Sequence, residues 1–329
     1  MLPKNTAQKG GYGIRLYRLA QVTRLTNACL YVKINTTYYM LIINEVKFMS
    51  TPHWILVIAG GALLLFFLIY LFLLAPSLNK KRRAEMRSFC NVRYAHRGLH
   101  DATRAENSLS AFKAALDAGY GMELDVRLSS DGELVVFHDA TLDRVTDATG
   151  RVDSYTYAEL SKIHLSGTED TVPAFRDLLK LVDGKVPLIV EIKEEAGSLA
   201  VTEKTAELLR EYKGAYVVES FNPLAIAHMK KIMPEVLRGQ LSETYTKNKK
   251  FRDILHVLLQ CLVFNVSTRP DFIAFNIRDR KNAALRLCRG IFGACTVAWT
   301  VRSREEEAIA RKSGFDAVIF ENYIPEGEK

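Results

Sequence analysis

Several common signals of function are missing from this sequence. Its five cysteines (Cys29, Cys90, Cys261, Cys288 and Cys295) are odd in number and contain no CxxC motif, so they indicate neither a zinc site nor a disulfide framework. We expect free thiols in a reducing compartment. No glycine-rich phosphate loop follows the first β-type run, which leaves a doubly wound nucleotide-binding sheet without support.

The larger part of the chain has no excess of positive charge. The formal charge is +8, but residues 1–93 contain 13 Lys+Arg against 2 Asp+Glu, whereas residues 94–329 contain 32 against 35. Nucleic-acid-binding domains carry a basic patch or stripe. The net charge of −3 on residues 94–329 therefore predicts no nucleic-acid partner.

Charged side chains are absent from Ile55 to Leu74, ILVIAGGALLLFFLIYLFLL. At about 1.5 Å per helical residue, this run spans roughly 30 Å, the thickness of a bilayer core. Trp54 lies where an interfacial aromatic residue belongs, and the polar face of a soluble helix is lacking. The run is also too long for the apolar region of a signal peptide. We predict a single-pass membrane anchor over residues 54–75.

The segments on either side of the anchor give its orientation. Lys80–Arg83 and Arg87 lie in a basic juxtamembrane linker, residues 76–91, while only Lys47 lies close before the anchor. The positive-inside rule then predicts a cytoplasmic C-terminal domain. In the N-terminal segment, residues 1–53, residues 1–48 show no clear period, and Met49 then opens directly onto the anchor. We hypothesise that Met49 is the true start; the alternative is that residues 1–48 form a short extracytoplasmic tail.

From Val92 onward, β-type runs alternate with helical patterns, which predicts a parallel sheet with helices outside it. The Asp131-Gly132 pair is a hairpin signal, so the third of nine runs is expected to return antiparallel. The other eight runs predict a TIM-type (β/α)8 barrel over residues 92–329. The nine runs are VRYAH, MELDV, LVVFH, PLIVEIK, YVVESF, VLRGQL, FIAFN, CTVAWTV and AVIF.

The predicted hairpin brings acidic residues together. A two-residue loop at 131–132 would pair Asp125 with His138, and Glu123 would share a face with Asp125. Glu191 and Lys193 are likewise two residues apart on another strand. Neighbouring carboxylates repel unless a charge neutralises them, and oxygen ligands suit Mg²⁺ or Ca²⁺.

The strand end AHRG contributes an imidazole, His96, and a fixed cation, Arg97, followed by Gly98, which permits a sharp turn. All these side chains fall at the carboxyl ends of β-type runs. Because TIM-barrel active sites lie at that end, the sequence predicts one catalytic site there.

A family resemblance rests on motifs in a fixed order across residues 92–325. They are His96-Arg97-Gly98, Glu106-Asn107-Ser108, Glu123-Leu124-Asp125, His138-Asp139, Glu191-Ile192-Lys193 and Trp299-Thr300-Val301. This order resembles the glycerophosphodiester phosphodiesterase family. The chain departs from the family pattern at Ala105, where proline is usual, and at Arg302, where asparagine is common.

The resemblance implies a TIM-type barrel with a small insertion after the hairpin, and a phosphodiesterase that uses one divalent cation, Mg²⁺ or Ca²⁺. It implies that Glu123, Asp125 and Glu191 are metal ligands and that His96 and His138 are the general acid and base, in either order. The remaining implied contacts are to phosphate, from Arg97 and Lys193, and to substrate or the ligands, from Glu106, Asn107 and Trp299.

The expected reaction is hydrolysis of glycerophosphodiesters to glycerol 3-phosphate and an alcohol. The attacking oxygen belongs either to water or to the 2-hydroxyl of glycerol. One alternative is a lysophospholipase D that acts on lysolipids in the bilayer. Another is a non-catalytic membrane scaffold or sensor, against which the complete motif set argues. The apolar stretch at 251–264 is either ordinary core or a lid that faces the membrane near the site.

Overall fold

The computed structural model describes residues 31–41, 51–195, 197–247 and 253–326. Its strands are β1 (Arg93–His96), β2 (Gly121–Leu128), β3 (Leu134–Val136), β4 (Leu188–Ile192), β5 (Tyr216–Ser220), β6 (Arg238–Ser242), β7 (Phe272–Asn276), β8 (Cys295–Val301) and β9 (Ala317–Phe320). Its helices are α1 (31–41), α2 (Thr51–Leu74), α3 (Lys80–Met86), α4 (Leu109–Ala118), α5 (Tyr157–Leu160), α6 (Phe175–Val182), α7 (Ala200–Glu211), α8 (Pro223–Ile232), α9 (Ile254–Gln260), α10 (Asn265–Thr268), α11 (Ala283–Phe292) and α12 (Arg304–Lys312).

Eight parallel strands close into a barrel. The order is β1-β2-β4-β5-β6-β7-β8-β9, and β1 pairs with both β2 and β9, so the ring has no free edge. β3 lies outside the ring, antiparallel to β2. The TIM-type barrel predicted from the sequence is therefore confirmed, including the hairpin that accounts for the ninth run.

The hairpin between β2 and β3 differs from the expected register by one residue. Val126 pairs with Val136 and Leu128 with Leu134, which leaves a three-residue loop at 130–132. Gly132 has φ +79°, the left-handed conformation that lets a turn close with a bulge. Asp125 is therefore opposite Phe137, whose N–H donates to the Asp125 carbonyl at 3.0 Å. The predicted pairing of Asp125 with His138 is wrong, because it assumed a two-residue loop.

Local signals at α4 show why the helices begin and end where they do. The Ser108 hydroxyl accepts a hydrogen bond from the Ala111 N–H, and Gly119 ends the helix with φ +74°. Between these caps, Ala111, Phe112 and Ala115 are fully buried. The helix thus covers the outer face of the barrel with its apolar side.

Apolar side chains fill the amino-terminal end of the barrel interior. Tyr94, Ile189 and Val217 belong to one buried cluster there, which Met86 and Phe89 also join from α3 and the turn after it. Side chains alternate along a strand, so positions two residues further on share the same interior face. In β1, β4 and β5 those positions are polar, and they form the site described below.

The compact unit that contains the barrel comprises residues 69–329, and residues 1–68 form a second unit. Leu74, Ala75 and Pro76 are buried, and Leu74 belongs to a cluster that includes Leu285 and Cys288. The end of the predicted anchor, through Leu74, and the predicted linker, through Met86 and Phe89, thus take part in the packing of this unit. The domain boundaries proposed from the sequence remain predictions.

The helix α2 is exposed over most of its length and carries no charged side chain. Its segment His53–Leu74 is long and apolar enough to cross a membrane. Met49, residues 1–30 and residues 42–50 lie outside the described residues, so the hypothesis about the start of translation remains untested. The stretch at 251–264 contains α9 and is followed by α10, with residues 251–252 outside the described part.

Candidate active site

Three carboxylates meet at the carboxyl ends of β2 and β4. Glu123 and Asp125 lie on one face of β2, and Asp125 is in register with Glu191 on β4. All three side chains are buried, and one oxygen from each lies within 4.8 Å of the others. This is the convergence that the i, i+2 spacing predicted.

Two cations border the three carboxylates. Lys193 Nζ lies 2.5 Å from Glu191 Oε1 and 3.0 Å from Asp125 Oδ1. Arg97 Nε lies 3.3 Å from Asp125 Oδ2. Arg97 holds this position with φ +55°, a conformation that non-glycine residues adopt mainly where surrounding structure enforces it.

Burial and neighbouring charges shift the pKa values of the three carboxyl groups in different directions. Burial, reinforced by Asp125 and Glu191, raises the pKa of Glu123 well above its usual range. Burial also raises the pKa of Glu191 to about 7, although Lys193 opposes the shift. Burial acts on Asp125 in the same direction, but Lys193 and Arg97 outweigh it and lower the pKa of Asp125 well below its usual range.

The charges of this group suit a hard divalent cation. The Lys193 and Arg97 side chains stabilise the charge of Asp125, but the raised pKa of Glu123 reflects burial with too little positive charge nearby. Carboxylate oxygens are the ligands that Mg²⁺ and Ca²⁺ prefer. Glu123, Asp125 and Glu191 therefore fit one such ion.

His96 lies at the end of β1, beside this group. Its Nδ1 atom hydrogen-bonds Glu321, and its Nε2 atom lies 3.8 Å from Glu123 Oε2. Burial opposes the ionised form of Glu321, yet the His96 hydrogen bond and the charge of Arg302 lower the pKa of Glu321 to about 2. The ionised carboxylate can only accept, so Nδ1 of His96 donates and Nε2 is left for chemistry.

His138 is held in the same way and lies near the charges of Asp125, Lys193 and Arg97. Its Nδ1 atom lies 2.5 Å from Asp139 Oδ1, and Asp139 Oδ2 accepts from Arg144 Nε at 2.5 Å. Burial lowers the pKa of His138 to about 4, although the charge of Asp125 opposes the shift. Its imidazole is therefore neutral near pH 7, with Nε2 able to accept a proton.

Glu106 and Asn107 support this arrangement from the loop before α4. Asn107 Nδ2 donates to Asp125 Oδ2 at 2.9 Å. Glu106 accepts from Arg97 at 2.6 Å and from Arg144 at 2.6 Å, which links the two sides of the site. Both residues thus contact the residues expected to bind the cation or phosphate.

Aromatic rings form one wall of the site. Trp299, near the end of β8, packs edge-to-face on Phe221 with 5.4 Å between centroids. Its indole Nε1 atom is buried and has no hydrogen-bond partner among the described residues. Lys193 Nζ lies 5.9 Å from the centroid of Phe221. Phe221 thus contacts both Trp299 and Lys193, and a role of Trp299 at the substrate stays a prediction.

Sequence reasoning missed three residues of the site. Glu321 directly follows β9, Arg144 follows the hairpin, and Glu219 lies on β5 in register with Glu191. Burial, reinforced by Glu191, raises the pKa of Glu219 well above its usual range. The signal for Glu219 was present, since YVVES places an acid two residues after the buried Val217. Arg302, noted as a departure from the family pattern, binds Glu321 at 2.8 Å.

The site belongs to a known family. The family model described as "Glycerophosphoryl diester phosphodiesterase family" matches residues 96–324. A glycerophosphodiester phosphodiesterase of Caldanaerobacter subterraneus subsp. tengcongensis is 33% identical over 237 residues, 68% of this chain and 91% of that protein. Glycerophosphodiester phosphodiesterase 1 of Homo sapiens is 31% identical over 157 residues, 44% of this chain and 46% of that protein.

Solved structures share the fold. A phosphodiesterase of Oleispira antarctica, in complex with the product sn-glycerol-3-phosphate, matches with a TM-score of 0.59 and 23% identity, covering 71% of this chain and 94% of that one. A glycerophosphodiester phosphodiesterase of Thermotoga maritima matches with a TM-score of 0.54 and 24% identity, covering 70% and 93%. The match to the family model covers more than half of the chain. This chain therefore belongs to the glycerophosphoryl diester phosphodiesterase family and is a phosphoric diester hydrolase.

Proposed function

We propose that the barrel mouth hydrolyses glycerophosphodiesters to glycerol 3-phosphate and an alcohol with one bound divalent cation, Mg²⁺ or Ca²⁺. The observation that carries the proposal is the buried group of Glu123, Asp125 and Glu191, with oxygens within 4.8 Å of one another. Two histidines flank the group, and each is fixed through Nδ1 by a carboxylate. A non-catalytic scaffold would have no need of this arrangement.

Arg97 and Lys193 are proposed to hold the phosphate of the substrate. Both contact Asp125, and both are nearly buried, so their charges are only weakly screened by solvent. The transition state carries more negative charge than the diester, and fixed cations stabilise that difference. A bound divalent cation would polarise the phosphoryl oxygens and offset the same charge.

His96 and His138 are proposed as the general acid and base. One Nε2 atom accepts the proton of the attacking oxygen, and the other donates a proton to the departing alcohol. Each such transfer contributes roughly 10²–10⁴-fold to the rate. The attacking oxygen is that of water or of the glycerol 2-hydroxyl, and the second route passes through a cyclic phosphate that water then opens. Glu106, Asn107 and Trp299 are proposed to position the cation ligands or the substrate.

The apolar helix α2 is proposed to anchor the enzyme in a membrane, with the barrel on the cytoplasmic side. The length and composition of His53–Leu74 support the anchor. The basic residues Lys80, Lys81 and Arg87, which are exposed after the helix, support the orientation. The substrate is accordingly a head-group diester derived from lipid, and a lysophospholipid is a second candidate.

Removal of the cation tests the proposal. Glycerophosphocholine turnover by the full-length protein should fall at least about 100-fold after chelation and return with Mg²⁺ or Ca²⁺, because the cation stabilises the transition state by several kcal/mol. Glu191→Gln should reduce cation affinity measured by calorimetry, whereas Glu211→Gln, on an exposed position of α7, should not. Full turnover after exhaustive chelation would exclude the proposed role of the cation.

A further inference from the structure

Two free cysteines meet at the amino-terminal end of the barrel, the end opposite to the active site. Cys90 lies in the turn after α3, and Cys295 is the first residue of β8. Their Sγ atoms are 2.8 Å apart, and both side chains are half-buried. The two residues are 205 positions apart in the sequence, so only the folded barrel brings their thiols together.

The segment that carries Cys90 packs against the amino-terminal end of the barrel interior. We call residues 86–91 the base segment. Its buried side chains, Met86 and Phe89, belong to the same apolar cluster as Tyr94 and Val217. The Tyr94 hydroxyl also donates to the Phe89 carbonyl at 3.0 Å. The base segment is therefore part of the core on which the lower layer of the barrel depends.

One aspartate holds the backbone next to both cysteines. The Asn91 N–H donates to the Asp316 carbonyl at 2.9 Å, and the Asp316 N–H donates to the Thr296 carbonyl at 2.8 Å. The Thr296 N–H in turn donates to the Asp316 carboxylate at 2.7 Å. The neighbours of Cys90 and Cys295 are thus bound to the same residue. The backbone therefore makes the two side chains converge, which is the geometry that a disulfide requires.

The two thiols differ in their readiness to ionise. The hydrogen bond from Cys295 lowers the pKa of Cys90, and the charge of Arg87 acts in the same direction, although burial opposes the shift. The same hydrogen bond, reinforced by burial, raises the pKa of Cys295 well above its usual range. Because the thiolate is the nucleophile in thiol chemistry, Cys90 is the residue that reacts first with an oxidant.

We propose that Cys90 and Cys295 form a reversible disulfide when a peroxide oxidises them, and that this bond fastens the base segment to β8. The inference is independent of the phosphodiesterase chemistry, because neither residue contacts the carboxylates or the histidines. In a reducing compartment the pair stays as two thiols and closes only when an oxidant appears. The bond then limits the freedom of the unfolded chain over 205 positions, so it stabilises the fold.

The oxidation proceeds in two steps. The Cys90 sulfur attacks one oxygen of hydrogen peroxide, the bond between the oxygens breaks, and the other oxygen leaves as water after it takes a proton. Cys90 is then a sulfenic acid. The Cys295 sulfur attacks the Cys90 sulfur, and the sulfenic oxygen leaves as a second water. Two thiols and one peroxide thus give one disulfide and two waters, and the two electrons pass from sulfur to oxygen.

Peptide mapping of the full-length protein tests the formation of the bond. The protein is treated with hydrogen peroxide, its remaining thiols are blocked with maleimide, and it is digested without reductant. Mass spectrometry should find a peptide that links Cys90 to Cys295 and that dithiothreitol separates. Cys90→Ser should abolish this peptide. Cys261→Ser, which removes another half-buried thiol, should leave it unchanged.

Thermal unfolding tests what the bond does. The oxidised wild-type protein should melt at least about 4 °C above the reduced protein, because disulfides that close long loops stabilise a fold. Cys90→Ser should show no such shift. Unlinked Cys90, recovered as the alkylated thiol or as a sulfinic acid after peroxide treatment, would overturn the disulfide. A linked peptide with an unchanged melting temperature would overturn the fastening of the base segment. The wild-type protein decides both points, so the result does not depend on how well a variant folds.

Discussion

Each histidine at the barrel mouth donates its Nδ1 proton to a carboxylate that an arginine keeps ionised. For His138 the pair is Asp139 and Arg144, and for His96 it is Glu321 and Arg302. Both imidazoles therefore leave the same ring nitrogen, Nε2, for proton transfer. Such fixed tautomers suit a reaction in which one histidine removes a proton and the other supplies one.

His138→Ala should lower kcat for glycerophosphocholine at least about 100-fold, because a general acid or base contributes roughly that much. The control is His164→Ala in the insertion, where the exposed ring contacts the Thr168 carbonyl. That variant should keep wild-type kcat. Steady-state kinetics would contradict the role of His138 if its variant retained more than about a tenth of the wild-type kcat.

Glu321→Gln tests whether the carboxylate positions His96. The amide keeps the shape but removes the charge that holds the Nδ1–H donor. We expect kcat to fall by about 10–100-fold with little change in KM, and cation affinity to stay near wild type, because Glu321 is not one of the three clustered ligands. Glu321→Asp should recover part of kcat. Equal losses in kcat for the Gln and Asp variants would indicate a merely structural role.

The residue types of the site could be predicted from the sequence, but the residues that position the two histidines could not. Glu123, Asp125 and Glu191 were accessible because i, i+2 spacing in an apolar strand fixes a shared face. Glu321 and Arg144 were not predicted, because they come from chain segments that only barrel closure and the hairpin bring near the histidines. Their partnership depends on tertiary placement, which no local pattern encodes.

At the scale of elements, the length of the loop between β2 and β3 explains the wrong prediction that Asp125 pairs with His138. The Asp-Gly pair indicated a hairpin correctly, but the loop has three residues with Gly132 in the left-handed conformation. A shift of one residue moves every later side chain of β3 to the other face, so the alignment of Asp125 with His138 failed. His138 nevertheless lies near the charge of Asp125, because β3 ends at Val136 and the chain bends from His138 onward.

The short helix α3 joins the region before β1 to the base of the barrel. Arg82 in this helix makes a two-pronged ion pair with Asp271, at 2.7 and 2.6 Å, just before β7. It also donates to the carbonyls of Pro234, Glu235 and Val236. One residue of the basic juxtamembrane segment is thus held in an ion pair and hydrogen bonds within the fold.

Arg82→Met should lower the free energy of unfolding by about 3 kcal/mol, because it leaves the nearly buried Asp271 carboxylate without its partner. Arg87→Met, at an exposed position after the same helix, should change it by less than about 0.5 kcal/mol. Chemical denaturation of the two variants measures the difference. A similar small effect for both would mean that the ion pair contributes nothing net to stability.

At the scale of the whole molecule, the barrel unit is longer than its strands suggest. Along the sequence, the composition changes from an apolar run to a basic stretch and then to a mixed-charge segment. This pattern favours a domain boundary near residue 92. The compact unit that contains the barrel starts at residue 69, and Leu74, Met86 and Phe89 are buried within it. Composition describes charge and hydropathy along the chain and cannot reveal that an apolar helix end packs on protein.

Truncation separates the membrane span from the barrel. A chain that starts at residue 92 loses the buried side chains of Leu74, Met86 and Phe89 and the Arg82 ion pair. At about 1.5–3 kcal/mol for each buried apolar side chain, the loss approaches the roughly 5–15 kcal/mol that stabilises a whole domain. We expect that chain to be largely unfolded, as judged by thermal melting and limited proteolysis.

A chain that starts at residue 69 keeps all of these contacts and lacks most of the apolar helix. We expect it to fold, to cleave glycerophosphocholine at the full-length rate and to leave the membrane fraction, because only the anchor is removed. Fractionation and turnover of the two truncated chains beside the full-length protein measure this. If the chain from residue 69 stayed with the membrane, α2 would not be the anchor. If the chain from residue 92 melted at the full-length temperature, residues 69–91 would be dispensable for the barrel.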